Sequence, residues 1–289
     1  METAKSIFKL LSDAAKAYGE DKVSRLAAAL AYYTLFSIAP LLVIAIGITG
    51  LVIGRTQAQS EIVAQIEDTA GAEVAEALAD MIASVSRPGT SAAATVIGIV
   101  ILMWGASQVL AQLQDAFNTI WQIKRAPDAG IWYTIQKRLI SLAMVLTVGF
   151  LLLVSLVIST AVTAINQVLA DNIALVGLAL PLLDWITSLL IMAPLFALMF
   201  RYLPDTRVTW RDVGVGGLVT AVLFMVGKTL IGFYLAKSGA GSAYGAAGSL
   251  IVLLLWVYYS AQLIFFGAEI TKVYTYRYGS RRDAHDTAG

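Results

Sequence analysis

Three ionisable residues stand inside long apolar stretches of this chain: Asp184, Lys228 and Glu269. An unpaired charge in hydrocarbon costs several kcal/mol, so such residues pair, reach an interface, or help to move an ion or solute. Asp184 and Lys228 admit two arrangements. If the run holding Asp184 begins near residue 175, the depths match and a salt bridge forms. If it begins near Pro181, Asp184 is interfacial beside Trp185 and Lys228 snorkels outward. Glu269 also has two roles open to it: a structural ion pair with Arg25, Arg138, Arg201 or Arg211, or a proton-relay position. A further polar group, Gln108, Gln112, Asp115 and Asn118, falls within one broad helical face. It either lines a polar vestibule or marks the ordinary exit of a helix into water.

Other chemistry is excluded by residue type. There is no cysteine, so no disulfide, thiolate metal site or cysteine nucleophile can form. The single histidine, His285, lies four residues from the end, which leaves almost no room for histidine-based metal or acid–base chemistry. Neither a metal nor another cofactor is expected.

The elements that must position these residues are six long apolar runs, at about 27–54, 92–114, 138–163, 177–203, 212–236 and 248–273. Each reaches the roughly 20 residues that a helix needs to cross a bilayer. Hydrocarbon cannot hydrogen-bond an open backbone, so these runs predict helices. With 58% hydrophobic and 13% charged residues and a mean hydropathy of +0.77, the 289-residue chain reads as an all-α polytopic membrane protein. Lysines and arginines divide unequally between the polar segments. Five lie in the N-terminal segment, four in the second loop, three in the fourth and four in the tail: sixteen, against only Arg55, Arg87 and Lys237 on the other side. By the positive-inside rule both termini are cytosolic. Nothing in the first 26 residues has the form of a cleaved signal peptide.

Residues 1–26 repeat Ile7, Phe8, Leu11, Ala14, Ala15 and Tyr18 at helical spacing, with Lys5, Lys9, Asp13, Lys16 and Glu20 opposite. This amphipathic helix either lies on the cytosolic membrane surface or docks on the protein's own cytosolic loops. The external loop 55–91 repeats Ile62, Ile66, Ala70, Val74, Leu78 and Ile82, predicting one or two amphipathic helices. Residues 238–249 form a loop of small residues around Tyr244, and 274–289 form a flexible basic tail. Gly50 and Gly54 are spaced as GxxxG, and Gly214, Gly216, Gly217 and Ala221 crowd the fifth run, as tightly packed helices require. Pro40 and Pro194 sit inside the first and fourth runs, both as Ala-Pro-Leu, and are candidate kinks. The six runs divide as three plus three, the arrangement of inverted-repeat transporters.

Several segments resemble the YihY/BrkB family of bacterial inner-membrane proteins: AAALAYYTLFSIAPLL at 27–42, the second-run exit with Asn118 and Trp121, RYLPD at 201–205, and YGAAGSLIVLLLWVYYSAQLIFFGAEITKVY at 244–274. The resemblance covers about residues 1–280 and marks Tyr32, Pro40, Asn118, Arg201, Pro204, Gly248, Trp256, Tyr259 and Glu269 as family-typical. It implies six spans, cytosolic termini and an inner-membrane location. The family once carried a ribonuclease label, now regarded as mistaken. Its suggested roles are envelope lipid or amphiphile transport and resistance to host killing, and it supplies no catalytic residues.

The expected function is that of a transporter or flippase-like protein moving a lipid, amphiphile or small solute, with membrane lipids as partners. The alternative is a membrane scaffold that binds envelope partners. A nuclease needs clustered carboxylates or histidines near bound nucleic acid. Here the loop 55–91, which holds Glu61, Glu67, Asp68, Glu73, Glu76 and Asp80, is predicted to lie outside and the cytosolic loops are short, so neither an enzyme nor nucleic-acid binding is expected.

Overall fold

A computed structural model describes residues 2–85, 108–123, 176–239 and 248–281. Every regular element among them is an α-helix. These are α1 (Glu2–Glu20), α2 (Val23–Ile53), α3 (Arg55–Ala70), α4 (Ala72–Val85), α5 (108–120), α6 (Val176–Tyr202), α7 (Trp210–Ser238) and α8 (Gly248–Arg277). Three of the described helices are long and apolar enough to cross a membrane, over Trp185–Tyr202, Trp210–Leu235 and Leu250–Arg277. The run 138–163 and most of 92–114 lie outside the described residues, as does most of the small-residue loop.

The amphipathic segment ends at Glu20, short of the expected residue 26, and α2 starts at Val23, ahead of the expected 27. The corner is made by Lys22, whose backbone is left-handed (φ 52°, ψ 44°). Gly50 and Gly54 also make a corner, not a helix–helix seam. Gly54 (φ 87°) breaks the chain between α2 and α3, and a Cβ on Gly50 would lie 3.0 Å from the Arg55 Cα. The loop 55–85 folds as the helices α3 and α4. Helices α2 and α6 continue unbroken through Pro40 and Pro194, and Pro194 is exposed.

Helix α8 is the hub. It packs along α7 and α2, and α1 and α4 lie against it near opposite ends. Its tightest partner is α7, and the reason is a reciprocal pair of small and branched residues. A Cβ on Gly216 of α7 would collide with the Thr271 side chain, and one on Gly267 of α8 would collide with Thr220. Each threonine hydroxyl donates to the glycine carbonyl one turn earlier on its own helix, Thr220 to Gly216 and Thr271 to Gly267, both at 2.7 Å. The hydroxyls are thus satisfied within each helix, and the threonine side chains, hydroxyl oxygen foremost, fill the space the glycines leave. Gly217 brings α7 equally close to α6, where a Cβ would lie 2.6 Å from the Ala193 carbonyl oxygen.

Below the C-terminal half of α8 sits an aromatic core. Phe117 of α5 contacts Phe265 of α8 edge-on at 5.8 Å and Phe200 of α6 at 5.7 Å, and all three are fully buried. At the other end Val74 and Leu78 of α4 pack with Ile231, Leu235, Val252 and Leu253.

Candidate functional site

The polar groups gather at one end of the bundle, where α1, the α1–α2 corner, α5, the α6–α7 loop and the end of α8 meet. Glu269 is completely buried there. Its Oε2 lies 3.3 Å from Lys272 Nζ, one turn along the same helix. Lys272 also donates to Asp21 Oδ2 at 2.7 Å, in the corner between α1 and α2. Gln122 Nε2 reaches Asp21 Oδ1 at 3.5 Å. Two carboxylates therefore share one ammonium in a nearly dry site. The second Glu269 oxygen, Oε1, is buried without a described hydrogen-bond partner. Among the described residues the cation on Glu269 is Lys272 and not Arg25, Arg201 or Arg211, because an i,i+3 lysine reaches the carboxylate without crossing between helices. Arg138 lies outside the described residues.

Lys228 stands apart from this cluster. Lys228 is half-buried on α7. Its neighbour Gly227 faces Tyr259 and Leu263 of α8. Tyr259 precedes Glu269 by ten residues, roughly 15 Å along the helix. Lys228 and Glu269 are thus separate sites. Asp184 belongs to α6, and its side chain, with the expected pairing to Lys228, lies outside those described.

Of the four residues on the exit face of α5, Gln108, Gln112 and Asp115 are half-buried and Asn118 is buried. Asn118 is a bracket on the α6–α7 loop. Its Nδ2 donates to Asp205 Oδ2 and its Oδ1 accepts from the Asp205 backbone N–H, both at 2.8 Å. Gln114 adds a bond to Asp205 Oδ1 at 3.2 Å. Two arginines clasp the same loop, and a third contact ties the start of α7 to the chain after α8. Arg201 donates to the Val208 carbonyl and stacks over Trp210, 4.5 Å from its centroid. Arg281 donates to Thr206 Oγ1 and the Arg207 carbonyl. The buried Asp212 accepts from the backbone N–H and hydroxyl of Ser280. Residues 274–281, expected to begin the flexible tail, are therefore part of the bundle end. Asn118→Ala removes two hydrogen bonds to a charged partner and is expected to cost about 2 kcal/mol, read as faster proteolysis of the α6–α7 loop with α8 still protected.

Next to the buried cluster, α1 and α8 border an open groove of about 290 Å³, lined by Ala15, Tyr18, Tyr259, Gln262, Leu263 and Phe266. Tyr18 donates to Gln262 Oε1 at 2.6 Å and meets Phe266 edge-on at 5.9 Å. Burial pushes the Tyr18 phenol above its ordinary value, so it remains a donor. Gln262 and Glu269 lie seven residues apart, two turns along one face of α8. Asp21, Lys272, Asp205 and Gln262 are not candidate site residues in the sequence, and Tyr18 stands there only as part of an apolar helical repeat. RYLPD and the last apolar run carried three of them, but only chain folding brings Asp21 to a lysine 251 positions away.

The sequence matches the family described as Virulence factor BrkB over residues 14–289. The chain belongs to that family. BrkB relatives include a UPF0761 membrane protein of Pseudomonas paraeruginosa, 30% identical over 260 residues, and one of Azotobacter vinelandii, 31% identical over 257. Each alignment covers 86% of this chain and 59% of the relative. One from Teredinibacter turnerae is 26% identical over 270 residues, covering 91% of this chain and 60% of the relative. This BrkB-family chain thus spans about 59% of the length of the first two relatives. No solved structure matches it. The relatives are named as membrane proteins, and with the apolar helices this makes the chain an integral membrane protein in a lipid environment.

Proposed function

We propose that this BrkB-family chain is a six-span inner-membrane protein with cytosolic termini that moves an amphiphile, a lipid in the first instance, along the α1–α8 groove. It acts as a conduit and not as an enzyme, without cofactor or nucleic acid. The groove carries the reading: it is open, its walls are apolar and aromatic, and its polar pair Tyr18–Gln262 stands two turns from the buried Glu269–Lys272–Asp21 cluster. An amphiphile needs this combination, hydrogen bonds for its head beside an apolar path for its tail. The excess of lysine and arginine on one set of loops supports the orientation.

The test is reconstitution in liposomes with a fluorescent phospholipid, following its exchange between leaflets. The wild-type chain is expected to accelerate exchange. Gln262→Leu, which removes the head-group partner and keeps the volume, is expected to slow it roughly five- to tenfold, the worth of one hydrogen bond. Exchange no faster than in empty liposomes would return the chain to the scaffold reading.

A further inference from the structure

Helix α1 has three sectors. Ser6, Leu10, Asp13, Ala14 and Ala17 face the protein: Ala14 is fully buried, Ser6 Oγ meets Tyr278 OH at 2.6 Å, and Asp13 pairs with Arg277. A second sector carries Ile7, Leu11 and Phe8, which are 56%, 39% and 75% exposed. A third carries Lys5, Lys9 and Lys16. Lys5, Phe8, Lys9 and Ser12, at i, i+3, i+4 and i+7, together line a shallow recess of about 550 Å³. Lys16 is engaged with Glu20 at 3.8 Å, which leaves Lys5 and Lys9 as the basic pair of the recess. The sequence offered two roles for this helix, membrane surface or docking on the protein. The structure gives it a docked face and, separately, an apolar face that none of the described residues covers.

We infer that this free face docks on an anionic phospholipid surface, with phosphate head groups between Lys5, Lys9 and Ser12 and with Ile7, Phe8 and Leu11 in the acyl boundary. The occupant follows from charge and position. Large exposed apolar side chains at helical spacing, bordered by lysines, suit an interface that is apolar on one side and negative on the other. The chain is an integral membrane protein, and Asp13–Arg277 and Ser6–Tyr278 fix α1 beside the end of the apolar helix α8, where a bilayer surface must pass. The lysine stems extend toward the head groups while the apolar side chains point into the leaflet. The inference does not depend on transport, and it holds whichever leaflet α1 meets, provided that leaflet is anionic.

The full chain has no cysteine, so a single Phe8→Cys labelled with an environment-sensitive fluorophore reports on this face alone. One copy per nanodisc is compared in phosphatidylcholine and in an equal mixture with phosphatidylglycerol. The expected result is a blue shift and loss of iodide quenching in the anionic discs. Lys5→Gln with Lys9→Gln is expected to abolish the shift, and so is molar salt, which shortens screening to about 3 Å. A label at Glu20→Cys, off the free face, is expected to stay quenchable in both. Emission at position 8 that is equally wet in both lipids overturns the inference. So does equal shielding in both that ignores the lysine substitutions, since the face is then covered by apolar contact alone.

Discussion

Gly267→Val is expected to lower the stability of the detergent-solubilised protein by about 3 kcal/mol, near the top of the range for overpacking. The cause is geometric. Any Cβ at Gly267 enters the volume of the Thr220 side chain, and α7 cannot retreat, because Gly217 already sets it against the Ala193 carbonyl. The same clash arises at Gly216 with Thr271, so the seam is constrained at two points one turn apart. A rescue identifies the mechanism. Gly267→Ala alone is expected to be destabilised, and adding Thr220→Gly is expected to restore part of the loss by emptying the site the new methyl needs. The coupling between the two should reach about 1–2 kcal/mol, in the range seen for contacting residues. It is measured by thermal unfolding of the four members of the cycle. Strictly additive effects would mean that Gly267 and Thr220 do not share that volume.

This seam shows how far the sequence could be read. Crowded glycines in the fifth run were visible, because small residues let membrane helices approach. Their partners were not, because Thr271 and Thr220 look like ordinary polar residues until the antiparallel register sets each beside a glycine. Similar logic separates what was legible elsewhere. An apolar stretch long enough to cross a bilayer has only helical solutions, so α6, α7 and α8 emerge with ends within a few residues of those expected. The α1–α2 corner was misplaced because it rests on a left-handed lysine, Lys22, where neither glycine nor proline announces a break. At the site, Glu269 was conspicuous for being charged in an apolar run, and Asn118 for being polar at its exit. Composition could not say that Asn118 holds the backbone and carboxylate of Asp205, since that bond depends on where the α6–α7 loop returns.

Lys272→Met is expected to be the most damaging single substitution at the bundle end, at about 3–5 kcal/mol, because it leaves two carboxylates in a dry site with no cation between them. Glu269 is fully buried and Asp21 is nearly so, and Lys272 is the cation seen between them. The order of effects follows from counting charge. Two carboxyl groups face one ammonium, so one carboxyl is in excess of the cation between them. Glu269→Gln removes that excess and leaves Asp21 paired with Lys272 at 2.7 Å, so it is expected to change stability by no more than about 1 kcal/mol, the scale of one hydrogen bond. In the Lys272→Met background the same Glu269→Gln should recover most of the loss, since it removes one of the two stranded charges, and Asp21→Asn should recover the rest. A structural clamp of this kind predicts that stability and lipid exchange fall together with Lys272→Met and that both return with Glu269→Gln. If exchange stays lost while stability returns, Glu269 acts in transport itself, and its ionisable group, not its place in the clamp, is what the movement of the amphiphile requires.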